Sequence, residues 1–169
     1  ISASYVWNKY ALQLPTFETA QCLAELGTNL MVGGATNNVY PWDRSSTTAT
    51  TSTTSSFFYP LLLPENNIVQ MVTVNNMLFI FGGSKGNIYI TNGSSASLAL
   101  SVPDYVTGQN EPIFVWGATM YMRGRVWFSI QAPNSGGVWS FTPTLNQVTL
   151  GQDVGTQLHL ENQNSNGTY

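Results

Sequence analysis

The chain has 169 residues, and only 8% of them are Asp, Glu, Lys or Arg, against roughly 25% in an average soluble domain. Five basic and eight acidic residues give a net charge of -3 at pH 7, which argues against nucleic acid or an anionic membrane surface as a partner. One cysteine and one histidine, Cys22 and His159, exclude an internal disulfide and a zinc cluster, and we expect no cofactor. The apolar runs are far shorter than the roughly 18 residues of a membrane-spanning helix, so we expect no membrane insertion.

Three similar units follow one another at a spacing of 49 to 50 residues. Each unit contains an apolar stretch, a glycine-containing turn and a shorter aromatic stretch. The paired stretches are Leu30–Gly34 with Asn38–Tyr40, Phe79–Gly83 with Asn87–Tyr89 and, more weakly, Val126–Ile130 with Val138–Trp139. In the third unit the glycine pair has moved next to the aromatic stretch, but the pair of strands persists.

Each unit opens with a further apolar stretch that ends in a turn. These stretches are Cys22–Leu26, Ile68–Val74 and Val115–Met122. Val, Ile, Tyr, Phe and Trp separated by Asn and Gly are typical of antiparallel hairpins. Residues 18–26 also have helical propensity, but we predict a strand there because the other two units place a strand at this position.

A unit of about 50 residues with several short strands is typical of propeller blades, and of kelch blades in particular. The first two units resemble the kelch pattern of paired glycines followed by an aromatic residue, and the third departs from it. We therefore predict an all-β chain of propeller-like repeats of antiparallel sheets, with about three blades. Since a closed propeller needs at least about four blades, and since the first residue is Ile1, we expect a fragment of a larger propeller. The alternatives are a ring that neighbouring chains complete, or a small stack of sheets.

The composition divides the chain into four segments. Residues 1–43 form an N-terminal segment and the first repeat, and residues 44–56 form a Ser/Thr-rich linker or surface loop. Residues 57–160 hold the second and third repeats, and residues 161–169 form a polar tail.

The sequence of Gly82–Gly86 matches the G-x-S-x-G pattern that surrounds a nucleophilic serine in hydrolases. Asp104 or Asp153 and then His159 follow in the chain order of a hydrolase triad. That chemistry requires a helix directly after the serine. The next residues, Asn87–Thr91, predict a strand instead. The motif is therefore better interpreted as a glycine-rich hairpin loop.

Paired carboxylates could serve a glycosidase, which needs a general acid and a nucleophile or base. Asp43, Asp104 and Glu111 lie at predicted strand ends or loops. Turn hydrogen bonding explains the aspartates equally well, and Glu111 before Pro112 fits a solvated loop. We predict no catalytic residue and no metal site.

The aromatic residues supply the candidate interface positions. Trp127 and Trp139 alternate with smaller residues on strands and are expected in the core. Trp7, Trp42 and Trp116 flank strands and, with Tyr105, are the predicted binding or interface residues.

One group of segments resembles repeat-containing virion proteins of tailed bacteriophages. The segments are Gly86–Gly93, Pro103–Gly108, Glu111–Pro112, Trp116–Gly117 and Arg123–Phe128. The resemblance implies a structural or adsorption role in the virion, with other virion proteins or copies of the chain as partners, and it transfers no catalytic residue.

These observations lead to one hypothesis and two alternatives. The hypothesis is a non-enzymatic structural protein of a phage particle, in the tail or capsid, that binds neighbouring subunits and, as a further role, a host receptor or surface glycan. A surface poor in charge suits burial against neighbours, because few ions need to be desolvated. The alternatives are a secreted or virion-borne propeller that binds or degrades carbohydrate, and a kelch-type protein-interaction module.

Overall fold

The structure is a computed structural model, and it describes residues 12, 14–43, 60–104, 113–131 and 137–143. Eleven strands and one short 3-10 turn, Val102–Asp104, make up the regular structure of these residues, which contain no α-helix. The strands are β1 Ala20–Leu26, β2 Asn29–Gly34, β3 Asn38–Trp42, β4 Leu61–Leu62, β5 Ile68–Val74, β6 Met77–Gly82, β7 Asn87–Thr91, β8 Ala96–Ser101, β9 Ile113–Met122, β10 Arg125–Gln131 and β11 Gly137–Phe141.

The strands form three antiparallel sheets in chain order. The first sheet is β1-β2-β3-β4, the second is β5-β6-β7-β8, and the third is β9-β10-β11. The prediction of an all-β chain with propeller-like repeats is confirmed, and the three sheets do not close a ring. The segment with helical propensity is strand β1, as predicted.

Short turns connect the first two strands of each sheet. In the second sheet Asn75 and Asn76 both have positive φ, 47° and 66°, which is the requirement of a type I′ hairpin. Arg123 and Gly124 take the same conformation between β9 and β10, at 54° and 76°. The turns that the sequence marked with Asn and Gly are therefore the hairpin turns of the structure.

The second sheet lies between the other two, and β5 is adjacent to both β1 and β9. In β6, Leu78 and Ile80 pack toward the first sheet, whereas Phe79 and Phe81 pack toward the third. Because both faces of this sheet are buried, its central strand is a continuous apolar run. Strand β10 instead alternates, with Val126, Phe128 and Ile130 in the core.

Two core layers hold the sheets together. The layer between the first and second sheets contains Leu26, Met31, Val39, Leu61, Leu63, Ile68, Met71, Leu78, Ile80 and Tyr89. The layer between the second and third sheets is centred on Phe79, Phe81, Phe114, Phe128 and Phe141, whose paired rings have centroids 5.1 to 6.0 Å apart. These tilted and edge-to-face pairs are the favoured arrangements of aromatic rings.

The tryptophans on the third sheet differ in burial. Trp139 is buried in the core, as predicted. The prediction for Trp127 is wrong, because this side chain is half-buried and lies on the opposite face from the core residues Val126 and Phe128.

The glycine pairs begin at Gly33 and at Gly82, which are 49 residues apart in the sequence, but strand pairing makes a different pair of glycines equivalent. Gly34 pairs with Ala20 at the end of its hairpin, and Gly82 pairs with Ile68 at the equivalent point. The glycines in equivalent positions are thus Gly34 and Gly82, 48 residues apart, whereas the following tyrosines are 49 apart. The additional residue of the second unit lies in the turn before β7.

The first sheet takes its fourth strand from beyond the Ser/Thr-rich tract. Leu61 and Leu62 pair with Val39 and Asn38, although the sequence division began the second repeat at residue 57. The chain then crosses to the second sheet at Leu63, whose N–H donates to the Asn37 carbonyl at 2.8 Å. The linker and tail predictions, residues 44–56 and 161–169, lie outside the described residues.

Candidate functional site

A cavity of about 710 Å³ lies over the face of the first sheet that points away from the second sheet. Side chains of β1, β2 and β3 form its floor, and the segment before β1 forms its wall. The apolar side chains of floor and wall are Leu23, Leu30, Val32, Trp42, Leu12 and Leu14. Leu23 is 59% exposed on this face.

Trp42 is the one predicted interface residue whose side chain the structure describes. It lies at the end of β3, lines the cavity and has a buried indole Nε1 without a hydrogen-bond partner in the described structure. The backbone of Trp116 lies in β9. Trp7 and Tyr105 lie outside the described residues, so the prediction that these four residues serve an interface stays a prediction.

Glu18, at the edge of the cavity, is held by four hydrogen bonds. Its carboxylate accepts from the Thr36 N–H at 3.0 Å, the Thr36 hydroxyl, the Tyr40 hydroxyl at 3.1 Å and the Thr19 N–H at 3.2 Å. Burial acts to raise the pKa of Glu18, but these bonds outweigh it and the pKa lies below its usual value. Burial, the charge of Glu18 and the bond to it raise the pKa of Tyr40 to about 12.

Glu65 occupies the equivalent position in the second unit. It is 3% exposed and accepts hydrogen bonds from the Lys85 N–H at 2.7 Å and the Asn87 N–H at 3.2 Å. Burial and then the charge of Glu65 raise the pKa of Tyr89. Each of the first two units therefore fixes the turn between its second and third strands with a glutamate that precedes its first strand.

The two glycines in equivalent positions make room for these glutamates. A Cβ atom at Gly34 would overlap the Glu18 carboxylate, and one at Gly82 would overlap the Glu65 carboxylate. The same arrangement occurs in the first two units, and in each it ties a turn to the sheet next to a glycine.

The G-x-S-x-G motif lies in this turn. Ser84 accepts a hydrogen bond from the Asn66 N–H at 3.2 Å, and the strand β7 begins at Asn87. The predicted strand after the serine is confirmed, so the motif lacks the helix that a nucleophile elbow requires. Asp153 and His159 lie outside the described residues.

The structure places the backbone of two of the other predicted carboxylates. Asp43 directly follows β3, Asp104 ends the 3-10 turn after β8, and Glu111 lies outside the described residues. Within the described part of the chain, no three His, Cys, Asp or Glu side chains are placed to hold a metal ion. No helix in the same residues is long and apolar enough to span a membrane.

The third sheet also exposes large apolar side chains on its outward face, which points away from the second sheet. Met120 and Met122 are 54% and 46% exposed, and they pair across the strands with Trp127 and Arg125. The Trp127 Nε1 donates to the Met122 carbonyl at 3.1 Å. The Arg125 guanidinium is held on its own sheet, where Nε donates to the Ser140 hydroxyl at 2.9 Å.

Sequence reasoning missed the two glutamates and the outward methionines. A signal for the glutamates exists, because each lies between a proline and a first strand: Glu65 directly follows Pro64, Glu18 lies three residues after Pro15, and the strands begin two or three residues later. The methionines carry a weaker signal, since β9 reads as a continuous apolar run that does not reveal which face lacks a covering sheet. The chain matches no protein-family model, and a search of curated proteins gave no significant match.

Proposed function

We propose that this chain is a non-enzymatic structural subunit of a phage-like virus particle that works packed against neighbouring subunits, with contact to a host receptor or surface glycan as an additional role. The observation that carries the proposal is the pair of outward faces. The first and third sheets each present exposed large side chains, Leu23 on one and Met120 with Met122 on the other. Such apolar patches at the ends of a stack favour association.

The low charge of the chain supports the same role. Only 8% of the residues are charged, so a large surface can be buried between subunits without desolvating many ions. The resemblance to phage virion proteins adds the expectation that these subunits belong to a particle.

The hydrogen bonds of Glu18 and Glu65 support a non-enzymatic role. Glu18 and Glu65 accept hydrogen bonds from the turns of their own units. A carboxylate that is tied to the turn of its own unit has a structural role that accounts for its burial without catalysis.

Mass spectrometry of purified virus particles tests this function. The chain is expected in the particle at a constant copy number that persists through density-gradient purification. Particles that lack the chain would overturn the proposal. Reducing-end release from a bacterial polysaccharide, lost in Asp104→Asn or Glu111→Gln, would favour the carbohydrate-degrading alternative.

A further inference from the structure

A short motif, Leu-x-Leu/Val-Pro, occurs three times in the chain. The copies are Leu12–Pro15, Leu61–Pro64 and Leu100–Pro103. The second copy begins with strand β4, the outermost strand of the first sheet, and the third copy begins at the end of β8, the outermost strand of the second sheet. In both cases the chain then leads to the first strand of the next sheet.

The apolar residues of the motif fill the space between two sheets. Leu61 and Leu63 are buried between the first and second sheets, and Leu100 and Val102 are buried between the second and third. Leu12 and Leu14 lie in the same relation to the first sheet, where they form the wall of the cavity over its outward face. In the described structure no sheet stands on the other side of them.

The two outward faces match the two covered faces of the second sheet. The outward face of the first sheet carries Leu23, Leu30, Val32 and Tyr40. Their equivalents in the second sheet are the residues that the first sheet covers, namely Met71, Leu78, Ile80 and Tyr89. The outward face of the third sheet carries Met120, Met122 and Trp127, which are equivalent to Val72, Val74 and Phe79, the residues that the third sheet covers. The third sheet of one copy is thus suited to precede the first sheet of another.

Strand pairing points to the same contact. In the first sheet Val39 of the third strand pairs with Leu61, and in the second sheet Ile88 pairs with Leu100. The equivalent residue in the third sheet is Val138, on β11, and among the described residues this sheet lacks a fourth strand. Leu12 holds the motif position of Leu61 and Leu100, so Val138 of a second copy is its expected partner.

The number of copies follows from the number of sheets. Closed propellers contain about four to eight blades, and six is the only multiple of the three sheets described here within that range. Four strands of six residues have a footprint of roughly 400 Å², which is small beside the roughly 800 Å² per partner of a standard interface. In a ring of two copies the contact is made twice. The outward face of the first sheet carries the acidic Glu25 and the outward face of the third sheet carries the basic Arg125, so the two faces in contact carry opposite charges.

We propose that two copies of this chain close a six-sheet ring head to tail, with Leu12 and Leu14 of each copy extending the third sheet of the other. The proposal rests on the proposed packing role and names its first partner. The ring can fail to form in solution while the chain is still found in particles, so the two proposals fail separately.

Cysteine cross-linking of the full chain tests the predicted pairing. Residues directly opposite on paired strands are close enough for a disulfide. When Leu12→Cys and Val138→Cys chains are mixed and oxidised, we expect a covalent dimer containing one of each chain. A control mixture of Leu12→Cys with Leu98→Cys, on the exposed outer strand of the second sheet, is expected to give none. Equal yields in both mixtures, or an internal disulfide in the doubly substituted chain that leaves it monomeric, would overturn the proposal.

Native mass spectrometry tests whether the outward faces of the first and third sheets form the contact between copies. Wild type and Leu98→Glu are expected to be dimers, whereas Leu23→Glu and Met120→Glu are expected to be monomers with unchanged circular dichroism. A mixture of Leu23→Glu and Met120→Glu chains is expected to give a heterodimer, because the unchanged third-sheet face of the first variant can still bind the unchanged first-sheet face of the second. A monomeric wild type, or dissociation by only one of the two face variants, would show that the contact is not head to tail.

Discussion

The substitution Glu65→Gln tests whether the buried glutamate anchors its sheet. The two carboxylate oxygens of Glu65 accept one backbone N–H each, from Asn87 at 3.2 Å and Lys85 at 2.7 Å. A glutamine amide has a single oxygen, so one of the two N–H groups is left facing an NH₂ group. Losing a charge-assisted hydrogen bond and leaving a buried donor unpaired lowers the free energy of unfolding by about 2 to 5 kcal/mol.

The assay is urea unfolding followed by tryptophan fluorescence. A loss of about 2 to 5 kcal/mol is a large part of the roughly 5 to 15 kcal/mol that stabilises a typical domain, so the midpoint falls clearly while the slope is unchanged. Gln131→Glu, the reverse exchange at an exposed position on β10, is the control and is expected to change stability by less than about 0.5 kcal/mol. If Glu65→Gln behaves like this control, the anchoring role is refuted.

Three further predictions concern the same framework. Because hydrogen bonds hold the pKa of Glu18 below 4.5, its stabilising contribution is complete above pH 4.5 and is lost as the pH falls through the lower folded-state pKa. Urea unfolding from neutral pH down to about pH 3 is expected to show this loss, and Glu18→Gln is expected to flatten it; an unchanged pH dependence contradicts the assignment. Gly82→Ala is expected to lower the melting temperature more than Gly34→Ala, since the carboxylate facing Gly82 is more deeply buried; the reverse order in thermal scans would refute the packing argument. Burial raises the pKa of the Cys22 thiol to about 12, so a thiol reagent at about pH 8 is expected to react with it only after unfolding in urea, and rapid reaction of the native chain would contradict this.

The strand pattern of the fold was predictable because it depends on local sequence. Asn75-Asn76 and Arg123-Gly124 supply positive φ where two-residue turns need it, and the apolar stretches around them form the hairpins. The pairing of β4 with the first sheet was not predictable, since two residues, Leu61 and Leu62, carry no periodic signal and join their sheet from beyond a long polar tract.

The site was less predictable than the fold. Trp42 was predicted to be an interface residue from its place beside a strand; it lines the cavity, and its interface role stays a prediction. Glu18 and Glu65 were missed, because a glutamate becomes an anchor only when the turn that it binds is folded around it. Trp127 lies on the opposite face of β10 from Val126, Phe128 and Ile130, and the packing of the third sheet on the second decides which of the two faces is covered.

Methionine oxidation in the particle tests the central claim, burial of the outward faces against neighbours, most directly. Met120 and Met122 are 54% and 46% exposed in the single chain, so mild peroxide is expected to oxidise them readily in an isolated Leu23→Glu chain, whose third-sheet face is uncovered. In intact virus particles the same two side chains are expected to be protected to the level of Met31, which is 1% exposed. Equal oxidation of Met120 and Met122 in particles and in the isolated variant would contradict the account.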